Sequence, residues 1–315
     1  MNKEKRLFLM GLATVFFIFL TLVCGCASEK SIGAEAASPS PAKGKSLVIK
    51  VLDVGQGDAI LIRTDEQTVL LDTSYTAEGR RLRSALNDEG VTVIDKLIIT
   101  HPHSDHAGGT SVVFRTYRVK SVYDNGQSLS TGAYKKYLKT ISKRGILHKS
   151  LSDGDVLSLG NGAVFRVLSP TKKMIEESQK RGNKANININ SVVARIEYGN
   201  FTMMMTGDAE KETELGILER HSPGEIRSRV LKSGHHGSKT SSSEAFLRAL
   251  HADDVIISCG EGNEYHLPHP STLARYRERG MDFYSTDRNG TVTVTTDGKS
   301  YKITPSRGEK NERAK

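Results

Sequence analysis

Cysteine and proline are scarce in this chain of 315 residues, which contains three cysteines and eight prolines. Two of the cysteines, Cys24 and Cys26, end an apolar leader, so Cys259 is alone in the remainder. A single thiol excludes a domain that is held together by disulfides. Cys259 follows a β-type run over 255–258, and we expect it to be a small, buried hydrophobic residue.

Short repeats are also absent from the sequence, whereas hydrophobic residues make up 37% of it and recur throughout. Collagen, coiled coil and wholesale disorder are therefore excluded, and the length suffices for one large domain or two small ones. The 45 basic residues exceed the 36 acidic ones, which gives a formal net charge of +9. This surplus favours an anionic partner such as nucleic acid or an acidic envelope polymer, although a solvated basic surface without a partner would give the same balance.

Residues 1–26 have the pattern of a secretory signal, because three basic residues within the first six positions precede an apolar run over 7–23. The sequence Val-Cys-Gly-Cys at 23–26 resembles a bacterial lipobox, in which Cys26 is lipidated after cleavage. An uncleaved membrane anchor is the alternative, since a run of this length can marginally span a bilayer. Both interpretations place the remainder at the extracytoplasmic face of the bacterial cell membrane. Removal of the signal leaves 42 basic and 35 acidic residues, a net charge of +7.

Residues 27–45 are rich in serine, proline and alanine without periodicity, which is typical of a flexible tether. Strand-like and helix-like patterns then interchange over 46–305, and 306–315 form a charged tail. Clusters of strands with helices among them predict two sheets covered by helices in one domain. The predicted strands are 47–54, 59–63, 68–72, 96–100, 164–168, 191–197, 201–206, 230–233, 255–258, 290–295 and 300–304, and the predicted helices are 80–89, 135–144, 208–221, 242–250 and 271–279.

The most informative segment follows the apolar strand that ends at residue 100, where His101, His103, Asp105 and His106 lie within six positions. Burying three imidazoles and a carboxylate without a compensating ion would cost several kcal/mol. On a tight loop the first two histidines can face one way while Asp105 and His106 face another, which suits two metal ions. Two glycines that follow let the backbone turn away behind them. A histidine-rich surface loop without a function is the alternative.

This spacing is the HxHxDH signature, and the chain resembles the metallo-β-lactamase superfamily. The resemblance implies an αββα sandwich with metal ions at one edge, where loops at strand ends meet. It also implies that Asp208, after the apolar strand that begins at Phe201, bridges both ions. The resemblance also implies that the last histidine ligand comes from the pair at 235–236; His235 is taken as the ligand and His236 as the spare residue, and the reverse assignment stays open. The predicted metal ligands are His101, His103, Asp105, His106, Asp208 and His235.

A narrower resemblance, to the ComEC-type competence hydrolase domain, covers about 46–305. It is carried by Asp-Val-Gly-Gln-Gly-Asp at 53–58, Asn190-Ser191, His-His-Gly-Ser at 235–238 and the loop 260–269. The multi-helix channel of ComEC has no counterpart here, because the sequence contains no second long apolar run. A transport function is therefore excluded, and the hydrolase-like part remains.

One departure from the family pattern concerns the first metal site. Most two-metal members have a third histidine ligand between the first motif and the bridging aspartate, but here only His148 lies between them, in a stretch typical of a surface. Asn190 and Ser191 stand where that ligand would fall. The site then has two histidines, Asp208 and water or a weak oxygen ligand. This composition shifts the metal preference from zinc toward manganese or magnesium, and zinc is kept as an alternative.

Two divalent ions would supply an activated water and polarise a phosphoryl oxygen, which suits in-line hydrolysis of a phosphodiester. Polar residues on the same loops are candidates for proton transfer or substrate contact, with a purely structural role as the alternative. The candidate catalytic residues are Asp105, Asp208, His236 and His269, and the candidate substrate-binding residues are Asn190, Ser191, Ser238, Asn263 and Tyr265.

The competence resemblance implies that the substrate is DNA. The basic segment 135–149, with Tyr134 and Tyr137 beside it, could follow single-stranded nucleic acid by charge and stacking, although it could equally be a solvated basic helix. The sequence therefore predicts a lipid-anchored, metal-dependent nuclease or phosphodiesterase. Two other functions stay open: a hydrolase of a lactam, a lactone or an envelope phosphoester, and a DNA-binding lipoprotein with little catalysis.

Overall fold

Alternating burial along the first strand shows how the sheets are built. Leu47, Ile49 and Val51 are fully buried, whereas Val48 and Lys50 between them are partly exposed. Successive side chains therefore face opposite sides of the sheet, as the period of two of an extended chain requires.

The computed structural model describes residues 45–182 and 186–308. The predicted signal with Cys26, the tether up to residue 44 and the last seven residues of the predicted tail lie outside the described residues. No helix within the described ranges is long and apolar enough to cross a membrane.

Strands and helices interchange along the described residues. The strands are β1 (Leu47–Val51), β2 (Ile60–Arg63), β3 (Thr68–Leu71), β4 (Val93–Ile98), β5 (Arg118–Asp124), β6 (Leu147–Ser150), β7 (Val156–Gly160), β8 (Ala163–Ser169), β9 (Val193–Tyr198), β10 (Phe201–Met205), β11 (Val230–Lys232), β12 (Asp254–Ile257), β13 (Asp282–Ser285), β14 (Val292–Thr296) and β15 (Tyr301–Pro305). The helices are α1 (Gly79–Asp88), α2 (Ser104–Ala107), α3 (Thr110–Thr116), α4 (Gly132–Arg144), α5 (Lys172–Arg181), α6 (Lys211–Arg220), α7 (Pro223–Ile226), α8 (Glu244–Leu250), α9 (Pro270–Glu278) and α10 (Thr286–Asn289).

The strands form two sheets, each of which is partly antiparallel and partly parallel. The order in the first sheet is β15-β14-β1-β2-β3-β4-β5-β6, and the pairs from β3 to β6 are parallel. The order in the second sheet is β13-β12-β11-β10-β9-β8-β7, and the pairs from β10 to β13 are parallel. Carboxyl ends of parallel neighbours meet at one edge of a sheet, which is the usual place for ligands in α/β proteins.

The side chains of β2 show the layers of the molecule. Ile60 and Ile62 pack between the two sheets, in one cluster with Phe165 of β8 and Met203 of β10. Leu61 points the other way and packs under α1, α3 and α4. A third cluster joins the outer face of the second sheet to α6, α8 and α9. This order of helix, sheet, sheet and helix confirms the αββα sandwich that the sequence predicts.

Candidate metal centre

Four strands deliver polar side chains to the same edge. In the first sheet Asp72 follows β3 and the segment 101–106 follows β4, and in the second sheet Asp208 follows β10 and the histidine pair 235–236 follows β11. Both strand pairs are parallel. Loops that are far apart in the sequence therefore meet at the carboxyl ends of neighbouring strands.

A group of four residues, comprising Asp105, His106, Asp208 and His236, has ligand atoms that all lie within 4.8 Å of one another. His106 Nε2 is 3.1 Å from Asp208 Oδ1. His236 Nε2 is 3.2 Å from Asp105 Oδ2 and 3.5 Å from Asp208 Oδ1. Two imidazole nitrogens and two carboxylates at this spacing form a donor set that suits a divalent transition metal.

A second group consists of His101, His103 and Asp208. His101 Nε2 is 3.0 Å from His103 Nδ1 and 3.8 Å from Asp208 Oδ2. Asp208 thus presents Oδ1 to the four-residue group and Oδ2 to this one. The two groups together contain five of the six predicted ligands. The first two histidines of the motif lie in one group, Asp105 and His106 lie in the other, and Asp208 belongs to both.

Two buried atoms of the four-residue group lack a hydrogen-bond partner within the described ranges, which shows whether the group fits a metal ion. His106 Nε2 and Asp208 Oδ1 have no hydrogen-bond partner among the described residues, although they approach to 3.1 Å. Buried polar atoms without a partner are rare in folded proteins. Both atoms can offer a lone pair to a cation, so these residues fit a divalent metal.

Asp72 orients His106 from behind. Its Oδ2 lies 2.7 Å from His106 Nδ1, and it accepts hydrogen bonds from the backbone N–H and the hydroxyl of Thr100 at 2.7 Å each. With Nδ1 directed at a carboxylate, Nε2 is turned toward the four-residue group. Carboxylates in this position fix the ring orientation of histidine ligands and raise their basicity.

His236 is held in a similar way, by one group from each sheet. Its Nδ1 lies 2.9 Å from the carbonyl oxygen of Ser258, directly after β12, and 3.4 Å from Asp58 Oδ1. Asp58 in turn makes a 2.8 Å ion pair with Lys232, and both side chains are only 1% exposed. Asp58 precedes β2 and Lys232 ends β11, so this buried pair joins the two sheets directly beside the site.

The titration of these groups reflects an excess of negative charge. Burial alone would lower the pKa of His106, but Asp208 and Asp72 outweigh it and raise the pKa well above its usual value. Burial also opposes the charge on His236, where Asp208 and Asp105 raise the pKa to about 10. For Asp208 burial would raise the pKa, but His106 and His236 hold it well below its usual range. A site with this charge balance favours a bound cation.

The structure assigns the histidine pair in the reverse order from the sequence prediction. His236 is buried and belongs to the four-residue group, whereas His235 is 26% exposed and lies at the rim. His235 Nε2 is 3.7 Å from Asp208 Oδ2, and its Nδ1 is 3.3 Å from Glu210 Oε1. The physical reason is the backbone: both histidines have a positive φ, of 47° and 54°, so the pair turns sharply and does not continue the strand.

Asn190 and Ser191, predicted as substrate-binding residues, are fully buried. The Ser191 hydroxyl accepts a 3.1 Å hydrogen bond from the backbone N–H of Asp208 and lies 3.3 Å from His101 Nδ1. Asn190 donates to the side-chain oxygen of Gln127. Their placement therefore corrects the prediction, because both support the site from behind and are closed to a substrate.

Asn188, which the sequence reasoning missed, is a better candidate for a contact at the group of His101, His103 and Asp208. It lies in a 3-10 turn at Asn188–Asn190 and lines a cavity of about 260 Å³ together with His103, Asp208 and His235. Its side-chain oxygen is buried and accepts no hydrogen bond from the described residues. It could supply the oxygen ligand that the sequence leaves unassigned between the first motif and Asp208.

The other predicted contact residues have different surroundings. Tyr265 lines the same cavity, where its hydroxyl lies 3.3 Å from that of Tyr75. Asn263 is bonded within its own loop, donating to the carbonyl oxygen of Leu267 at 2.7 Å. Ser238 bonds to Thr240 within the loop that follows the histidine pair. The remaining catalytic candidate, His269, caps the start of α9, accepting a hydrogen bond from the backbone N–H of Ser271.

Comparison with known proteins agrees with this geometry. The family model described as the metallo-beta-lactamase superfamily matches residues 52–261. The chain is 31% identical over 262 residues to ComE operon protein 3 of Bacillus subtilis, which covers 78% of this chain and 32% of that protein. It is 29% identical over 256 residues to Competence protein ComA of Neisseria gonorrhoeae, covering 81% and 33%, and 32% identical over 251 residues to Recombination protein 2 of Haemophilus influenzae, covering 78% and 28%. The chain thus spans about a third of the length of these curated relatives.

Solved structures show the same fold at low sequence identity. The metallo-beta-lactamase fold protein YhfI from Bacillus subtilis aligns with a TM-score of 0.50 and 12% identity, covering 76% of this chain and 96% of that one. A mutant of the CmlA beta-hydroxylase aligns with a TM-score of 0.51 and 14% identity, covering 82% and 55%. These likenesses confirm the predicted fold, and the family match confirms the predicted resemblance: the chain belongs to the metallo-β-lactamase superfamily, with the fold of a metal-dependent hydrolase and His/Asp clusters that suit a divalent metal.

Proposed function

We propose that this chain is a phosphodiesterase that hydrolyses DNA, attached by a lipid at Cys26 to the extracytoplasmic face of the bacterial cell membrane. The observation that carries the proposal is that Asp208 belongs to both ligand groups and directs one carboxylate oxygen toward each of them. The residues of the two groups would hold two adjacent divalent ions, which would supply the charge stabilisation that phosphatases and nucleases use for the attacking and leaving oxygens of an in-line displacement.

Two divalent ions held by these groups would activate a water and polarise the phosphoryl oxygen. The chain's own residues prepare this chemistry. Asp72 fixes the ring of His106, and the Ser258 carbonyl fixes that of His236. Because neither ring can turn, the ligand nitrogens stay aimed at one place.

His235 is the residue best placed to move a proton at the rim. It is the spare member of the histidine pair, it reaches the cavity, and Glu210 Oε1 lies 3.3 Å from its Nδ1. With Glu210 beside Nδ1, a protonated His235 would donate the Nε2 proton to the departing oxygen, so we assign His235 the role that the sequence gave to its neighbour. Tyr75 and Tyr265 stand on the wall of the same cavity and would bound the path of a substrate.

DNA is proposed as the substrate on two further grounds. The relatives include a protein named for competence, and the ComEC-type resemblance implies degradation of one DNA strand during uptake. The net charge of +7 after removal of the predicted signal suits a phosphate backbone. The same signal and lipobox pattern support the proposed attachment and location.

The test is hydrolysis by the purified protein of a panel of DNA, RNA, a small phosphodiester, a lactam and a lactone, with manganese, zinc or magnesium. DNA cleavage is expected only with a divalent ion, and Asp208→Ala should abolish it. Asp65→Ala, at an exposed ion pair with Lys45, is the matched control and should keep it. Turnover confined to the lactam or lactone would contradict the proposal, as would salt-dependent DNA binding without turnover under all three metals.

A further inference from the structure

A second cavity, of about 620 Å³, lies beside the metal centre. We call it the side cavity; it is bounded by the loop after β4, by α3 and by α4. His103 and Ser104 line both the side cavity and the smaller cavity that contains Asp208 and His235. A group bound in the side cavity would therefore be directly next to a substrate phosphate at the metal centre.

Aromatic rings form one wall of the side cavity. Phe114 and Tyr137 are stacked with ring centroids 6.1 Å apart, and Tyr134 lies 5.8 Å from Tyr137. Tyr137 is buried, and its hydroxyl donates a 3.0 Å hydrogen bond to Asp124, which also pairs with His148 at 2.7 Å. The wall is thus held rigid from behind, and the half-buried Tyr134 is its most accessible ring.

Cations stand at the mouth of the same cavity. Arg115 near the end of α3 and Lys136 and Arg144 of α4 all line it and are exposed. Arg144 also donates a hydrogen bond to the carbonyl oxygen of Phe114, which ties the cationic rim to the aromatic wall. Aromatic walls and cationic rims together are the features with which proteins hold single-stranded nucleic acid.

We propose that the side cavity binds one nucleobase of the strand that is being hydrolysed, next to the phosphate at the metal centre; this inference rests on the proposed function. Its volume is within the range of pockets that enclose small organic ligands. The aromatic wall offers a face on which any base can stack, and the three cations offer partners to the flanking phosphates. An acyl chain would fill the apolar part but would leave the cationic rim without a partner.

The structure also changes where stacking is expected. Tyr137 is closed to solvent, so it cannot stack a base along the outer surface of α4. The base instead enters the side cavity, where Tyr134 is the ring it meets. The lysines of α4 are exposed and contribute charge, and Lys136 does so at the side cavity itself.

The experiment compares single-stranded oligonucleotides with and without bases at the cleaved positions, using wild type, Tyr134→Ala and Tyr134→Phe. Wild type is expected to favour the substrate with bases, by a lower KM. Tyr134→Ala should raise that KM about fivefold to 150-fold, which is the range for loss of one stacked base. The KM for the abasic substrate should stay the same. Tyr134→Phe keeps the ring and should behave as wild type.

Equal KM values of the wild type for the two substrates, or an equal effect of Tyr134→Ala on both, would overturn the inference. Calorimetric binding of the same oligonucleotides in a chelator separates it from the proposed function. Base-dependent binding that Tyr134→Ala weakens, in a protein that cleaves neither substrate after divalent ions are restored, would support the side cavity and reject the nuclease. Tighter binding of an alkyl phosphate than of a mononucleotide would identify an acyl site and overturn the inference.

Discussion

Replacement of Lys232 by methionine tests the buried connection beside the metal centre. Lys232 Nζ and Asp58 Oδ2 are 2.8 Å apart, both side chains are 1% exposed, and Lys232 also donates to the carbonyl oxygen of Ser233. Burial would raise the pKa of Asp58, but Lys232 and the nearby His236 hold it well below its usual range. Methionine keeps most of the volume and leaves the carboxyl without its main partner.

Removing one member of a buried ion pair costs about 3–5 kcal/mol, because the other charge is left in a medium of low polarity. In a domain of this size each kcal/mol lowers Tm by roughly 2–4 °C, so we expect a fall of about 6–20 °C. The assay is urea and thermal unfolding in a chelator. The double variant Lys232→Met with Asp58→Asn removes both charges and should recover much of the loss.

The pH dependence has a definite sign. The depressed pKa of Asp58 gives the wild type stability that is present above the unfolded value near 4 and is lost as the pH falls through the folded pKa. The difference in unfolding free energy between wild type and Lys232→Met should therefore shrink below about pH 5. A cost under about 1 kcal/mol, or strictly additive effects of the two substitutions, would refute a coupled buried pair.

Three further predictions concern single side chains. Gly109→Ala would place a Cβ 2.1 Å from the carbonyl oxygen of Thr73 and is expected to destabilise the fold by more than about 1 kcal/mol in urea unfolding, whereas Gly132→Ala, with no atom within 4 Å, should not. Asp72→Asn should weaken metal binding about 10- to 100-fold in calorimetry, and an unchanged affinity would show that the carboxylate does not support His106. Cys259 is fully buried and its pKa is raised by burial, so a thiol reagent should modify it only after unfolding, and rapid labelling of the native protein would contradict its placement.

Local patterns predicted the part of the fold that depends on regular hydrophobic spacing. The predicted strand 59–63 and helix 80–89 correspond to β2 and α1 within one residue at each end. β6 was not predicted, because its four residues are all exposed and show no alternation of polar and apolar side chains. The helix predicted to start at Asp208 begins at Lys211, since the intervening residues form the loop that carries the shared carboxylate.

The metal motif was predicted because its ligands lie within six residues, but the groups that support them come from distant strands. Asp72 directly follows an apolar strand, and Lys232 is a charged residue inside a buried one. A carboxylate directly after an apolar strand and a cation at the end of a buried strand are both visible in the sequence as signals of a site. Which histidine of the pair faces the metal centre depends on a left-handed turn and on the Ser258 carbonyl of a neighbouring strand, and no local pattern contains that information.

Titration of the metal-free protein with manganese and with zinc tests the shared carboxylate most directly. Two ions per chain are expected for the wild type, and one for His103→Ala, which removes a ligand from the three-residue group alone. Asp208→Asn touches both groups and should weaken both sites. Binding of a single ion by the wild type, or two unchanged sites in Asp208→Asn, would contradict the two-ion centre.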